Sequence, residues 1–403
     1  MKPSFATNNS TLIMMIAVFL TLSSVAGFFH FGVLYYIMLA TTGFMYLLQP
    51  SFRLRMGEWV ILLFLFACAM SLIVNDVPKY FNSTNRFIVY TLVLIVVSPL
   101  ITNEYIGPIR SKLFFYSLVV LSILSVGSFF AFYLGVNMFV RLGTELEIGS
   151  GTFSGLMNHS MVLGPFSAIS AIYLLSLVFT ETKKTKRLFF ILSFLCCLGA
   201  CFFAASRISL LGVLCGCVVV VIRYYRGRMS KAIVVLLLVA ALAAASFPIW
   251  GGVMDLVLEK QEFNEQLGGA LYSREGKIAA RILEFKSSPI FGIGFCSVDP
   301  RYDVVQFDNG QIEPGTSWLA ILSMTGILGL IAFIPICVIA FRQIRFIESI
   351  RISCALLGIL VFYLIHMLAE GYIMAPRSFL NMFFWLLLGT INGEYERQRF
   401  EKE

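Results

Sequence analysis

The sequence predicts an all-α polytopic membrane protein of about 12 transmembrane helices, with one large loop that contains short helices. Three observations predict it. Of 403 residues, 59% are apolar or aromatic and only 13% are charged, whereas soluble domains carry about 25% charged residues. The mean hydropathy is +0.88. The apolar residues also gather in runs near the ~20 residues that a helix needs to cross a hydrocarbon core. This composition excludes an ordinary soluble protein, a disordered or collagen-like chain and a disulfide scaffold.

The runs fall at 11–27, 31–48, 59–74, 87–101, 113–136, 162–180, 188–205, 209–225, 232–250, 317–341, 352–369 and 378–392. The first follows Lys2 without a small-residue cleavage site, so it reads as a span rather than a removed signal peptide. The eighth is short, and its Arg223 is expected to snorkel to the interface. Between the ninth and tenth lies the long loop 251–316, whose parts 253–267 and 273–287 alternate apolar and charged residues at helical spacing. Pro289, Gly292 and Gly294 then break the pattern. The chain therefore divides into spans 1–9 (1–250), the loop (251–316), and spans 10–12 with a tail (317–403).

The formal net charge is +8, but the basic residues sit in short loops between apolar runs, so they point to topology rather than to nucleic acid. Nineteen Lys and Arg fall on one side of the predicted spans and five on the other, with the long loop left out because the positive-inside rule does not govern long loops. Both termini are thus expected in the cytoplasm and the long loop outside. Of nine cysteines only Cys296 lies in the long polar loop, so neither a disulfide framework nor a zinc spacing is present. No phosphate-binding Gly-rich loop or HExxH pair occurs.

Polar groups gather at the long-loop side. Ser206-Arg207 forms a turn between two apolar runs: either a snorkelling arginine at a helix end or a guanidinium placed for a phosphate. Arg274, Lys277 and Arg281, at spacings of three and four, share one helix face, which reads either as a solvated charged face or as a substrate contact. Glu313, in Glu313-Pro314-Gly315-Thr316-Ser317-Trp318 at the entry to the tenth span, is a general base or a helix cap. His366 and Glu370 lie four apart on one helix face with Arg377 just past the turn, and a hydrogen-bonded packing role competes with catalysis for His366. His159, before the sixth span, reaches the same depth or is an exposed loop histidine.

At these residues the sequence resembles the O-antigen ligase and O-antigen polymerase superfamily of GT-C type membrane glycosyltransferases. Four stretches carry the resemblance: residues 205–212 with their Ser-Arg turn; Arg274 followed fifteen residues later by the P-x-x-G-x-G run from Pro289 to Gly294; the segment from Thr316 through Trp318 to Gly329; and, weakly, residues 155–164. Ligases of the family carry a histidine just before the position of Thr316, where this chain has Gly315.

The resemblance implies a bacterial inner-membrane enzyme acting at the periplasmic face on an undecaprenyl-diphosphate-linked oligosaccharide, without metal or other cofactor. Arg207 and Arg274 would neutralise the diphosphate as the sugar departs, and Glu313 would take the acceptor's proton. Lys277, Arg281, His159, His366, Glu370 and Arg377 would add substrate contacts. Polymerisation of O-antigen or exopolysaccharide repeat units is favoured over ligation to lipid A core, because the ligase histidine is missing. A flippase and a chain-length regulator are the partners expected beside the lipid bilayer. A transporter or flippase of lipid-linked oligosaccharide is the reading from another class; it would place ionisable groups near mid-membrane and pair interrupted helices.

Overall fold

The computed structural model describes residues 9–29, 31–48, 55–56, 58–138, 153–245, 272–303 and 312–400. Among these residues there are thirteen α-helices: α1 (Ser10–Val25), α2 (Gly32–Leu47), α3 (Val60–Val74), α4 (Ser83–Val97), α5 (Ile106–Tyr133), α6 (Ser160–Thr180), α7 (Lys184–Phe203), α8 (Arg207–Tyr224), α9 (Met229–Ala245), α10 (Tyr272–Ser287), α11 (Ser317–Phe346), α12 (Ile350–His366) and α13 (Phe379–Phe400). Apart from α10, each stands on one of the twelve apolar runs. Among the described residues, six segments meet the length and hydropathy of a membrane span: Lys79–Val97, Ile106–Tyr133, Ser160–Thr180, Lys184–Phe203, Arg207–Tyr224 and Ser317–Phe346. The protein is an all-α polytopic membrane protein. Two-residue strands, β1 (Arg55–Met56) and β2 (Ile101–Thr102), pair antiparallel at one end. The predicted loop helix at 273–287 is α10, whereas the one at 253–267 lies outside the described residues.

Lipid supplies little hydrophobic drive between helices, so close approach of small residues and side-chain hydrogen bonds hold the bundle together. α8 and α12 cross at Gly216 and Gly358, where a Cβ on either would come within 3.0 or 3.1 Å of the other's carbonyl oxygen. α5 and α13 meet likewise at Gly107 and Gly393. Some hydroxyls inside the helices donate to their own backbone, as Ser122 Oγ does to Leu118 O at 2.7 Å and Thr390 Oγ1 to Leu386 O at 2.8 Å, which lowers the cost of burying them.

Two arginines counted in the charge bias have further duties. Arg110 is fully buried, and its guanidinium donates to the carbonyls of Ile95, Val96 and Ile101 at 2.7 to 3.0 Å, closing the C-terminus of α4 where carbonyls lose their helical partners. Arg223 does not simply snorkel to the interface. Its Nε donates to Ser353 Oγ at 2.7 Å and Nη2 to Ile344 O at 3.4 Å, tying α8 to α12 and α11.

α11 is broken. Gly326 has φ +67 inside it, so the apolar run that reads as one span is two helical pieces that meet at a kink. The bonds that the break removes, from Ile327 and Leu328 back to residues four earlier, are replaced from outside. Ile293 N donates to Ser323 O at 2.9 Å and Gly294 N to Met324 O at 3.1 Å, while Ile327 N donates to Pro289 O at 2.9 Å and Leu328 N to Ile290 O at 3.5 Å. Irregular backbone in a membrane protein is tolerated where protein supplies the missing partners. The P-x-x-G-x-G run is that supplier.

Candidate functional site

The end of the bundle that carries the long loop is organised around the α11 break. Gly292 has φ +72, and a Cβ there would collide with the backbone of Met324 and Thr325; one on Gly326 would collide with Ile290 O. Asn75 Nδ2 fastens the same loop by donating to Gly292 O at 2.8 Å, and Ser71 Oγ accepts from Phe295 N at 2.9 Å. Phe295 then packs against Tyr90 and Phe87, with ring centroids 5.1 and 5.7 Å away.

The segment before α11 is tied as firmly. Thr316 caps the helix through Leu319 N, at 3.2 Å. Ser317 N donates to Met367 O and Glu370 O at 3.0 and 2.9 Å. The Ser317 hydroxyl donates to Glu370 O at 2.6 Å and accepts from Tyr372 N at 3.1 Å. Trp318 Nε1 donates to Leu364 O at 3.3 Å. The polar groups of Thr316-Ser317-Trp318 thus join the start of α11 to the end of α12.

Between these two locks opens a cavity of about 880 Å³. Asn82, Asn85, Arg86 and Val89 at the start of α4 form one part of its lining; Met374, Ala375, Pro376 and Arg377 from the turn between α12 and α13 form another. Tyr36, Cys296, Ile312, Pro314 and Met324 complete it. Ser83 Oγ donates to Cys296 O at 3.2 Å, and Arg86 Nη1 to Cys296 Sγ at 3.5 Å. Burial pushes the Cys296 thiol above its usual range, and Arg86 partly opposes this. Arg377 Nε donates to Tyr36 Oη at 2.8 Å, with the guanidinium 5.9 Å from the ring centroid.

The predicted residues distribute unevenly about this cavity. Glu313 is exposed, and both its chain neighbours, Ile312 and Pro314, line the cavity. Arg377 lines it directly. Glu370 lies at the lock, where its carbonyl accepts from Ser317. His366 is buried, its ring stacked on Phe362 at 5.1 Å with Nδ1 3.4 Å from Tyr372 Oη, which is the packing role. His159 is the N-cap of α6, with Nδ1 accepting from Met161 N at 3.0 Å, so it is not a plain loop histidine. Arg207 opens α8 with its side chain exposed and does not line the cavity. Arg274 lies in α10, but its side chain falls outside the described residues.

The basic face of α10 is not a solvated stripe. Arg281 is fully buried, and its Nη2 pairs with Asp303 Oδ2 at 2.8 Å and Glu284 Oε1 at 2.9 Å; Lys277 Nζ pairs with Asp303 Oδ1 at 2.7 Å. Glu284 Oε1 also accepts from Asp299 N at 2.8 Å. Burial pushes the Glu284 carboxyl up to about 7, against the pull of Arg281. This cluster clasps α10 to the segment that follows the P-x-x-G-x-G run, and Arg281 is spent in holding it.

Residues 192–334 match the family model described as O-antigen ligase. This stretch is similar to the O-antigen ligase family. No curated protein matches the chain. The match supports the O-antigen ligase and polymerase superfamily that the motifs resemble, a glycosyltransferase-like class of membrane enzyme. Within the matched stretch, the P-x-x-G-x-G run and the Thr316-Ser317-Trp318 segment build the scaffold of the site, and both bear on the same helix, α11. Arg86, outside the matched stretch, is a cavity residue that sequence reasoning passed over. Its signal was an arginine on the sparsely charged side of the topology, next to two asparagines.

Proposed function

We propose that the protein is a bacterial inner-membrane glycosyltransferase that polymerises O-antigen or exopolysaccharide repeat units carried on undecaprenyl diphosphate, at the periplasmic face. The observation that carries this reading is the 880 Å³ cavity at the long-loop end, with Glu313 between two of its lining residues. That volume suits a glycan, and its mixed amide, guanidinium and apolar lining is what a sugar requires. In the reaction an acceptor hydroxyl attacks the anomeric carbon of the donor sugar. The bond to the diphosphate oxygen breaks, and the electron pair leaves with the diphosphate. Glu313 takes the hydroxyl proton, while Arg207 and Arg274 stabilise the departing charge. His159 and the pair His366 and Glu370 are the alternative bases.

Gly315 favours polymerisation over ligation. Its φ is +78, and a Cβ there would lie 2.9 Å from Lys277 Cβ, so this backbone has no room for the histidine that ligases place there. The break in α11 stands alone among the described helices and lies at the cavity, unlike the paired midplane interruptions of a transporter.

The glycans of a deletion strain test the reading. Loss of long chains with single repeats retained is expected; polymer accumulating on the carrier lipid means ligase. In purified protein, Glu313→Gln is expected to lower transfer about 10²-fold or more while donor binding persists, and Arg207→Ala to lower it about 10²- to 10³-fold. A Glu313→Gln enzyme at full rate moves the base to the histidines.

A further inference from the structure

Residues 155–164 resemble the family only weakly, and none of them lines the cavity. Their place in the fold gives them a different task. Leu156 N donates to Ser128 Oγ of α5 at 3.0 Å, while Asn158 donates from its backbone to Val25 O at 2.9 Å and from Nδ2 to Ser24 O at 3.1 Å. The start of α6 is thereby fixed to α5 and α1. At the end of the stretch, Gly164 meets the Ser206-Arg207 turn: a Cβ on it would lie 2.9 Å from Ser206 Cβ and 3.2 Å from Ser209 Oγ. Glycine is a poorer helix former than alanine, so local propensity argues for alanine at this helical position and the close approach argues against it. The turn itself is tight. Only three residues separate Phe203, the end of α7, from Arg207, the start of α8, and one of them, Ala205, has φ +49, which costs a residue with a Cβ. Ser206 Oγ pairs with Ser209 Oγ at 2.8 Å across the first turn of α8. Ser206 Cβ is bonded to the backbone, so it cannot swing away from an added methyl as the tip of a long side chain could. The turn would have to move, and Arg207 with it.

We propose that Gly164 is a positioning residue for Arg207: bringing no Cβ to this contact, it lets the Ser206-Arg207 turn seat against α6 and so sets where Arg207 stands relative to the departing diphosphate. This role rests on the proposed reaction, in which Arg207 stabilises the charge of that leaving group. It also places part of the site's geometry outside the matched residues 192–334, on a helix anchored to α1 and α5. An added methyl displaces the turn by a fraction of an ångström, and a misplacement of about 1 Å in such a group costs about 10²-fold in rate. Gly164→Ala should therefore lower kcat about tenfold and change KM little, because the contact it disturbs is made chiefly in the transition state.

Transfer by the purified protein in lipid nanodiscs, with the lipid-linked single repeats of the deletion strain as substrate, tests this. In an Arg207→Ala background, Gly164→Ala should cost nothing further, because a residue that acts through Arg207 is silent once that side chain is gone. A general packing defect would lower the rate by the same factor in both backgrounds. Ser206→Gly removes the atom that the methyl meets, so Gly164→Ala combined with it should return to the rate of Ser206→Gly alone. If Gly164→Ala does not fold, this pair carries the test: it should recover both accumulation in the membrane and transfer, and accumulation without transfer overturns the proposal. Gly164→Ala at the full rate overturns it as well, as does an equal loss with and without Arg207. Arg207→Ala at the full rate overturns it together with the role given to Arg207. Failure of the polymerase reading shows instead in the deletion-strain glycans, which do not depend on these variants.

Discussion

Glu284 is a fully buried carboxyl, held by Arg281 and by Asp299 N and facing Asp303 through Arg281. Burial raises it from an ordinary 4.5 to about 7, so the folded protein keeps its proton where the unfolded chain has released it. The contribution of this group to stability is therefore complete below about pH 4.5 and declines as the pH rises toward 7. Glu284→Gln should flatten that part of the pH dependence of the melting temperature, since an amide still accepts from Asp299 N but does not titrate. A variant that keeps the wild-type slope between pH 4.5 and 7 would place the titration elsewhere. Arg281 shows what a sequence conveys at this scale. Spacings of three and four correctly put Lys277 and Arg281 on one helix face, yet Asp303 lies more than twenty positions away in the chain, and only folding brings it to that face. His366 was legible as a packed histidine because a lone ionisable group in an apolar run needs a partner, which Tyr372 provides.

At the scale of elements, the break in α11 and the P-x-x-G-x-G run are two halves of one structure, each supplying the hydrogen bonds that the other lacks. Apolar periodicity registers neither the break nor the pairing, because a glycine within an apolar run leaves hydropathy unchanged. The two motifs were legible separately; their contact was not. Gly326→Ala should be among the most damaging single-methyl additions in the chain. It forces a non-glycine residue to φ +67, at a cost of about 1–3 kcal/mol, and drives a Cβ into Ile290 O. The expected result is loss of more than about 3 kcal/mol, read as failure to accumulate in the membrane or a sharply lowered melting temperature. Gly276→Ala in α10 is the control: nothing among the described residues lies within 4 Å of a Cβ there, so the helical position should gain about 0.5–1 kcal/mol. Equal behaviour of the two variants would mean that the break does not carry the loop.

For the whole molecule, the remaining question is which way it faces, and the structure sharpens the charge argument. Arg110 and Arg223 are engaged by backbone or side-chain oxygens, so a cautious count sets them aside, leaving seventeen Lys and Arg on the basic side against five. On the side with five, Arg86 and Arg377 line the cavity, which gives them a place in the fold besides any part in topology. The bias therefore widens once each charge is assigned a physical duty, and by the positive-inside rule we propose that the basic side faces the cytoplasm. Reporter fusions at Lys184, at Gly227 and after the C-terminus should read as cytoplasmic, and a fusion at Asn264, in the long loop outside the described residues, as periplasmic. Replacing Lys183, Lys184, Lys186 and Arg187 together by serine should not invert the protein, since the remaining bias still exceeds the opposing charges more than twofold. A cytoplasmic signal at Asn264 would turn the cavity toward the cytoplasm, away from the compartment where the proposed polymerisation occurs, and would remove that function along with the orientation.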